Sequence, residues 1–522
     1  MAKRSNTAPH RRLTVRMYRE ILGDCFLIRA PKDGGTINVL IDCGILQGTE
    51  RAADRARRIM TDVAAETGNH LDVLIVTHEH WDHLSGFAQA KDVFDGIAVS
   101  ELWLGWTEDP RDELARKLSA GRAQALSVVC RGRDGALAMS SPSRSEFESE
   151  LEQEDDHSPI DMGFAELLSF NGIDPGETGP GLAARARATT ATILDGLRTK
   201  AGAVRYFRPG VDPVPVTGLP DLRAFVLGPP RDETLLKRSA PRKGTQEVYQ
   251  LAAGDVDDLF HLAALDMDGG GAASADVDLA LPFGKRLLMM RPPHPVPPAS
   301  TSEEMESRRS FEAVYDDPAE EWRKIEQDWL LAGEQLALKL DNDTNNTSLA
   351  IAFEIGAAKD ARVMLFPGDA QVGSWLSWSS LSWDVKDPDG ERRVTIEDLF
   401  ARTVLYKVGH HGSHNATLRE RGLELMTSRD LVAMVPVVES FANDAVKNWN
   451  MPFPSLLKRL EEKTGRRVLR ADRGVAHFED IARDVSGKPG ELGGKEWELF
   501  RGAVREISDR AGPIAIEFAI DM

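Results

Sequence analysis

Three histidines and an aspartate crowd the segment Thr77-His78-Glu79-His80-Trp81-Asp82-His83, directly after the apolar run LDVLIV at Leu71 to Val76. Imidazole and carboxylate at that density suit zinc, manganese or iron. Residues packed this closely cannot all face one side of a regular element, so the spacing predicts a loop on which they converge. His78 and His80, two apart, can reach one ion, while Asp82 and His83 can turn toward a second. Further on, VMLFPGDA (Val363 to Ala370) reads as a strand whose Pro367-Gly368 turn presents Asp369. A carboxylate there can bridge two cations at the ~3.5–4 Å spacing of two-metal hydrolysis, although a Gly-Asp after a strand is also an ordinary helix cap. YKVGHHGSH (Tyr406 to His414) sets His410 and His411 between glycines after another strand. That arrangement fits close backbone approach to a ligand or ion, or else a loop with surface histidines.

Strands must stand behind these segments. Leu13 to Arg19, Cys25 to Arg29, Ile37 to Ile41 and Leu71 to Val76 read as strands, with a turn at Asp33-Gly34-Gly35 and a helix over Thr49 to Glu66 that Gly68 ends. Helices are expected at Asp112 to Ala138 and Leu182 to Leu197, and strands at Ala203 to Phe207 and Arg223 to Leu227. Between and beyond them lie an acidic, Ser-rich linker (SSPSRSEFESELEQEDD), an Ala/Asp/Gly-rich stretch from Asp255 to Asp278 and a Pro-rich stretch from Arg291 to Ser307. Core texture returns with a helix at Ala319 to Ala332 and strands at Leu336 to Leu340, Ser348 to Glu354 and Arg362 to Phe366. It continues with strands at Val404 to Val408, Leu431 to Val437 and Arg467 to Arg470, a helix at Pro454 to Lys463, and a closing edge strand at Pro513 to Ile520.

At 522 residues, with 42% apolar and 28% charged residues, the chain is long enough for a large core interrupted by an insertion. We divide it into residues 1–106 and 336–480 as two parts of one core, and 107–335 as an insertion with core strands near 203–230. Residues 481–522 form a C-terminal extension. No run approaches the ~20 apolar residues of a membrane helix, and the basic start MAKRSNTAPHRR has no apolar segment behind it. A cytoplasmic protein without a membrane partner is expected. Cys25, Cys43 and Cys130, an odd and scattered set, read as buried thiols and not as a disulfide framework. The net charge of −19 disfavours a broad phosphate-tracking surface but leaves room for a site where bound cations supply positive charge.

Taken together, these motifs resemble the metallo-β-lactamase superfamily, whose signature is HxHxDH followed by distant Asp and His ligands. The set is most similar to the hydrolase domain of ComEC-type competence proteins. There a Gly-Asp strand, an LIDxG strand, the HxHxDH loop, an NNxSL strand, a Gly-Asp turn and an HHGS turn come in this order. Here they read Gly23-Asp24, Leu40 to Gly44, His78 to His83, Asn345 to Leu349, Gly368-Asp369 and His410 to Ser413, with a matching helix and strand over Pro452 to Gly474. The resemblance covers roughly Leu13 to Trp106, Ala203 to Pro230 and Leu336 to His477. It implies a mixed α/β (α+β) chain folded as an αββα sandwich, with two divalent metals at one edge, zinc first and manganese second. It implies that His78 and His80 hold one metal and Asp82, His83 and His411 the other, with Asp369 bridging. His410 would sit beside the substrate as acid or phosphate ligand (410 and 411 can exchange roles), and Asp42 would orient a metal-bound histidine. Asp82, His410 and Asp369 are thus the catalytic candidates.

The chain departs from that pattern in three ways. The membrane-spanning part of the competence proteins is absent. Met451-Pro452 stands where the family often has His-Pro. No third histidine serves the first metal: His157, His261 and His294 read as solvated, and His414 is the better spare ligand. Trp81, Trp103 and Trp106 either line the mouth of the site or pack beneath it. The leading functional reading is a phosphodiesterase whose substrate is a nucleotide or single-stranded nucleic acid. Hydrolysis of a lactone or thioester is the rival enzyme reading, and a metal-stabilised partner-binding protein is the third. The insertion is expected to choose the substrate, its acidic linker repelling long polyanions. No substrate-contacting residue or protein partner is named by the sequence.

Overall fold

The computed structural model describes residues 11–140, 168–173, 182–239, 248, 340–356, 361–387, 390–443, 449–475, 477 and 494–522. The acidic linker beyond Ser140, the stretches at 255–278 and 291–307, the helix expected at 319–332, and His157, His261 and His294 lie outside the described residues. Eight strands form the first sheet: β1 (Arg12–Tyr18), β2 (Phe26–Lys32), β3 (Gly35–Ile41), β4 (His70–Ile75), β5 (Ala98–Gly105), β6 (Ala203–Phe207), β16 (Val504–Asp509) and β17 (Gly512–Asp521). Their order is β16-β17-β1-β2-β3-β4-β5-β6. The second sheet holds β7 (Val214–Val216), β8 (Leu219–Val226), β9 (Ile351–Ile355), β10 (Arg362–Phe366), β13 (Thr403–Lys407), β14 (Val432–Val435) and β15 (Val468–Arg470), in the order β15-β14-β13-β10-β9-β8-β7. A separate hairpin, β11 (Ser382–Asp387) with β12 (Gly390–Thr395), has no counterpart in the sequence reading.

Period-2 alternation drives the layering. Leu13, Val15 and Met17 of β1, Phe26 and Ile28 of β2, and Val39 and Ile41 of β3 meet Phe353, Ile355, Met364, Phe366 and Met434 of the other sheet in one buried core. The opposite sides take helices. Leu27, Leu40 and Leu74 pack under α1 (Ala52–Thr67) and α2 (Trp81–Gln89) through Ile59, Met60, Val63, Leu84 and Phe87. On the second sheet, Leu365, Tyr406 and Ala433 pack under Trp375, Trp378, Phe400, Leu456 and Leu460. The result is the expected helix–sheet–sheet–helix sandwich. Gly68 ends α1 in the left-handed region (φ 62), its amide bonded to Ala64.

In the 107–335 segment, α3 (Glu113–Ser140) and α4 (Leu182–Lys200) lie between β5 and β6 in sequence. β6 pairs with β5 at the edge of the first sheet, and β8 pairs with β9 inside the second. Two sequence expectations need correction. Leu340 is helical, part of a turn over 340–345, and not the end of a strand from Leu336; residues 336–339 are outside the described set. The segment Pro513 to Ile520 does not form an edge: β17 lies between β1 and β16, because β16 precedes it as the other arm of an antiparallel hairpin and takes the outer position. Arg16 of β1 faces Glu517 of β17 in register, and both side chains are almost fully buried. None of the three cysteines forms a disulfide, and all are buried.

Candidate metal centre

The chemistry-bearing segments leave strands at one rim. β4 ends at Ile75, and His78 to His80 follow as loop; Trp81 then opens α2. The expectation of a single loop is corrected here. Asp82 and His83 stand on the first helical turn, which points two residues into the site while the loop supplies the other two. β10 leads through Gly368 (φ 59) to Asp369, and β13 leads to His410 and His411, both with positive φ (43 and 51). Non-glycine residues rarely adopt that conformation, so it has to be held from outside. The His410 amide donates to Asp369 Oδ1 (3.0 Å) and His411 Nδ1 donates to the Pro436 carbonyl (2.7 Å).

Gly23 and Gly44 let the loops close on Asp82. The Asp24 amide donates to the Asp82 carbonyl (3.0 Å), and the Cys43 amide to that of His83 (2.9 Å). A Cβ on Gly44 would overlap the Asp82 carbonyl and the His83 amide, which are backbone and cannot swing away. Gly44→Ala is therefore expected to cost about 3 kcal/mol of stability, read as a lower urea midpoint, and to weaken metal binding by displacing Asp82.

Within the site, His78 Nε2 lies 3.0 Å from His80 Nδ1, and His411 Nε2 lies 3.0 Å from Asp82 Oδ2. His83 Nε2 stands 3.2 Å from Asp369 Oδ2 and 3.6 Å from Asp82 Oδ2. Three sets of ligand-type atoms converge within 4.8 Å: His78, His83 and Asp369; Asp82, Asp369 and His411; and Asp24, Asp42 and His83. Asp369 belongs to two of them. In the third, the Lys407 ammonium already pairs with Asp24. Asp42 accepts from His83 Nδ1 (2.8 Å), the Thr77 amide (2.8 Å) and Thr77 Oγ1 (2.7 Å), which fixes the ring and turns Nε2 inward. Ser348 Oγ does similar work at His78 Nδ1 (3.2 Å). His80, His410 and His414 fall in none of the three sets. His410 Nδ1 bonds Ser413 Oγ (2.9 Å), and His414 packs its ring against Phe453.

Sequence reasoning missed Lys407 and Asp341. Lys407 is buried and donates to Asp369 Oδ1 (3.1 Å), leaving Oδ2 for the site. Asp341 is buried beside His80, and its sequence context, DNDTNN, looks like polar loop. The i, i+4 spacing of Asp341 and Asn345 on a helix was the available signal, hidden by the strand reading of Leu340. At Met451, where a contact was in question, the amide bonds the Asn443 side chain (2.9 Å). Trp81, Trp103 and Trp106 are buried, Trp103 against Phe207 in the core between the sheets and Trp106 donating to the Pro229 carbonyl (2.8 Å).

The donor set fits divalent cations. Asp24, Asp42, Asp82, Asp341 and Asp369 are all buried, with Lys407 the one lysine among them. Buried carboxylates need compensating charge. Asp82 Oδ1, Asp341 Oδ1 and His80 Nε2 are buried with no hydrogen-bond partner. His83 has a carboxylate at each ring nitrogen. Burial opposes its charging, but Asp369, Asp82 and Asp42 outweigh that and push its pKa well above the ordinary value. Burial likewise opposes Asp369, yet Lys407 and His83 hold it well below the usual carboxylate range. Burial, with Asp82 and Asp369 nearby, lifts Asp341 to about 8. Burial lowers His80 and His410 to about 4 each, so both are neutral lone-pair donors at pH 7.

Beside the centre is a cavity of about 330 Å³ between α3, α4 and the histidine loop, lined among others by Glu79, Arg122, Arg198 and Thr344. Residues 18–134, which include the whole His78 to His83 motif, match the family model described as the metallo-beta-lactamase superfamily. The match is to a metallo-beta-lactamase superfamily domain at residues 18–134 of the 522. No curated protein matches the chain. Most members of that superfamily are hydrolases, and they typically bind divalent metals, often zinc. Domain and buried His/Asp groups together support a metal-dependent hydrolase. Among the described residues, no helix is long and apolar enough to cross a membrane.

Proposed function

We propose that this protein is a dinuclear phosphodiesterase acting on a nucleotide or single-stranded nucleic acid, with a hydrolase centre of the ComEC type. The observation that carries the reading is Asp369, which belongs to two separate sets of ligand-type atoms, as a bridging carboxylate must. His78, with His80 beside it, would hold one ion and Asp82 with His411 the other, zinc or manganese, and His83, which groups with His78 and Asp369 and lies 3.6 Å from Asp82, would stand between them. Two divalent ions there would supply a water nucleophile ionised near pH ~7 and neutralise charge developing on the scissile group. The protein's own part is positional. Asp42, Ser348 and the Pro436 carbonyl fix the histidine rings, and Lys407 with the His410 amide fixes Asp369. His410, neutral, is held by Ser413 through Nδ1 and has the Asn345 amide 3.5 Å from Nε2, which would set the ring beside the substrate.

Charge favours a small substrate over duplex DNA, since a net charge of −19 repels a long polyanion. The same fact also suits a lactone or thioester. Metal-free and metal-loaded protein should be assayed on a chromogenic phosphodiester, short and long single-stranded DNA and RNA, duplex DNA, and a lactone and thioester panel. Metal-dependent cleavage of short diesters is expected. Turnover of lactones or thioesters alone would replace the diesterase reading. Tight metal binding with no turnover of any substrate would favour a partner-binding protein.

A further inference from the structure

Asp341 stands outside the ligand set that the motifs supply. It sits on the helical turn over 340–345, one turn before Asn345, whose side-chain amide donates to Asp341 Oδ2 at 3.1 Å. That bond anchors one oxygen. The other, Oδ1, lies 3.6 Å from His80 Nε2, and the Asp341 side chain is 10% exposed. Neither Oδ1 nor Nε2 has a hydrogen-bond partner, although both are buried.

The separation decides between two meanings. At 3.6 Å the pair is too far apart for a good hydrogen bond. Two ligand atoms each ~2.0–2.2 Å from one tetrahedral ion stand roughly 3.3–3.6 Å apart. Two buried, unpartnered ligand-type atoms at that distance fit a shared cation. The sequence offers no third histidine for the His78–His80 side, and Asp341 is a buried carboxylate at that side.

We propose that Asp341 is a metal ligand, supplying with His80 the carboxylate that completes the position lacking a third histidine. This rests on the metal-centre reading above and extends it to a residue that the HxHxDH, Gly-Asp and HHGS motifs do not contain. It also makes that position anionic where a histidine would leave it neutral, which favours harder divalent ions such as manganese relative to an all-imidazole site.

The test is metal binding by wild type, Asp341→Asn and Asp341→Ala, read by elemental analysis, by calorimetric titration with zinc and manganese, and by the visible absorption of cobalt-loaded protein. Wild type should take more than one equivalent. Both variants should lose affinity for one equivalent by at least about 100-fold, more than the 10- to 100-fold typical of residues that only orient a ligand. The cobalt spectrum should change in band position and intensity. Metal-free Asp341→Asn should melt no lower than metal-free wild type, because the amide replaces a buried acid group whose Oδ1 has no partner, while the metal-induced rise in Tm shrinks. An unchanged cobalt spectrum, whatever the affinity, would make Asp341 an outer partner of His80 and overturn the proposal. So would a metal-free Asp341→Asn protein that melts lower and binds the full complement. A wild type that binds no metal would instead sink the metal-centre reading itself, so the two failures are told apart.

Discussion

Asp369→Ala is expected to abolish turnover, by on the order of 10³-fold or more, and to release most of the bound metal. Asp369 is the one residue common to the His78–His83 and Asp82–His411 sets, so its loss disrupts both positions at once. The fold should survive. Lys407, which Asp369 leaves behind, still pairs with Asp24 and bonds the Gly368 carbonyl at 3.0 Å, so no buried cation is stranded. The measurements are kcat, metal content and the circular dichroism of the variant side by side. Near-normal activity with full metal content would reduce Asp369 to a loop residue satisfying the His410 amide.

The second large effect lies far from the rim. Arg16→Met should cost about 3–5 kcal/mol, the usual result of breaking a buried ion pair on one side. Arg16 Nη2 bonds Glu517 at 2.8 Å and Arg16 Nη1 bonds Asp62 of α1 at 2.5 Å, tying β1, β17 and a helix through one guanidinium. Burial raises the cost of charging Glu517, but Arg505 and Arg16 overcome it and lower its pKa. A depressed carboxylate pKa stabilises the fold above the unfolded value of ~4.3. That contribution is lost as pH falls through the folded-state pKa. The gap between wild type and Arg16→Met, measured by urea unfolding, should therefore be full at pH 7 and shrink below about pH 4. A gap that is constant with pH would mean that Arg16 acts by packing alone.

Where each residue's role depends on its immediate neighbours in sequence, the chain was readable. LDVLIV before His78, VMLFPGD around Asp369 and the alternation in β1 to β3 each carry their structure locally, and all lie where expected. What escaped was set by tertiary pairing. The β11–β12 hairpin lies in a charged stretch where the alternation of Trp383 and Val385 in β11 is short and β12 buries Val394 alone. The placement of β17 beside β1 is a contact between distant segments that periodicity cannot report. Asp341 sits in a run of Asp and Asn whose composition says loop, and its helical turn is visible only once Asn345 bonds back to it. Lys407 reads as the end of an apolar strand, and only the approach of Asp24 and Asp369 from two other strands gives its ammonium a purpose. The division of His83 between Asp369 and Asp82 likewise needed distances.

The pairing of β1 with β17 also sets a clock. Arg16 and Glu517 are 501 residues apart, so at a ribosomal pace of about 5–20 residues per second the second partner is added about 25–100 s after the first. Throughout that interval β1 can pair with β2 on one side, while the backbone groups of its other edge remain bare and Leu13, Val15 and Met17 on its face await the second sheet. A bare edge is a template for pairing with another chain. Nascent chains are thus most vulnerable to aggregation between the completion of β2 and the arrival of β17, a window that covers nearly the whole of synthesis.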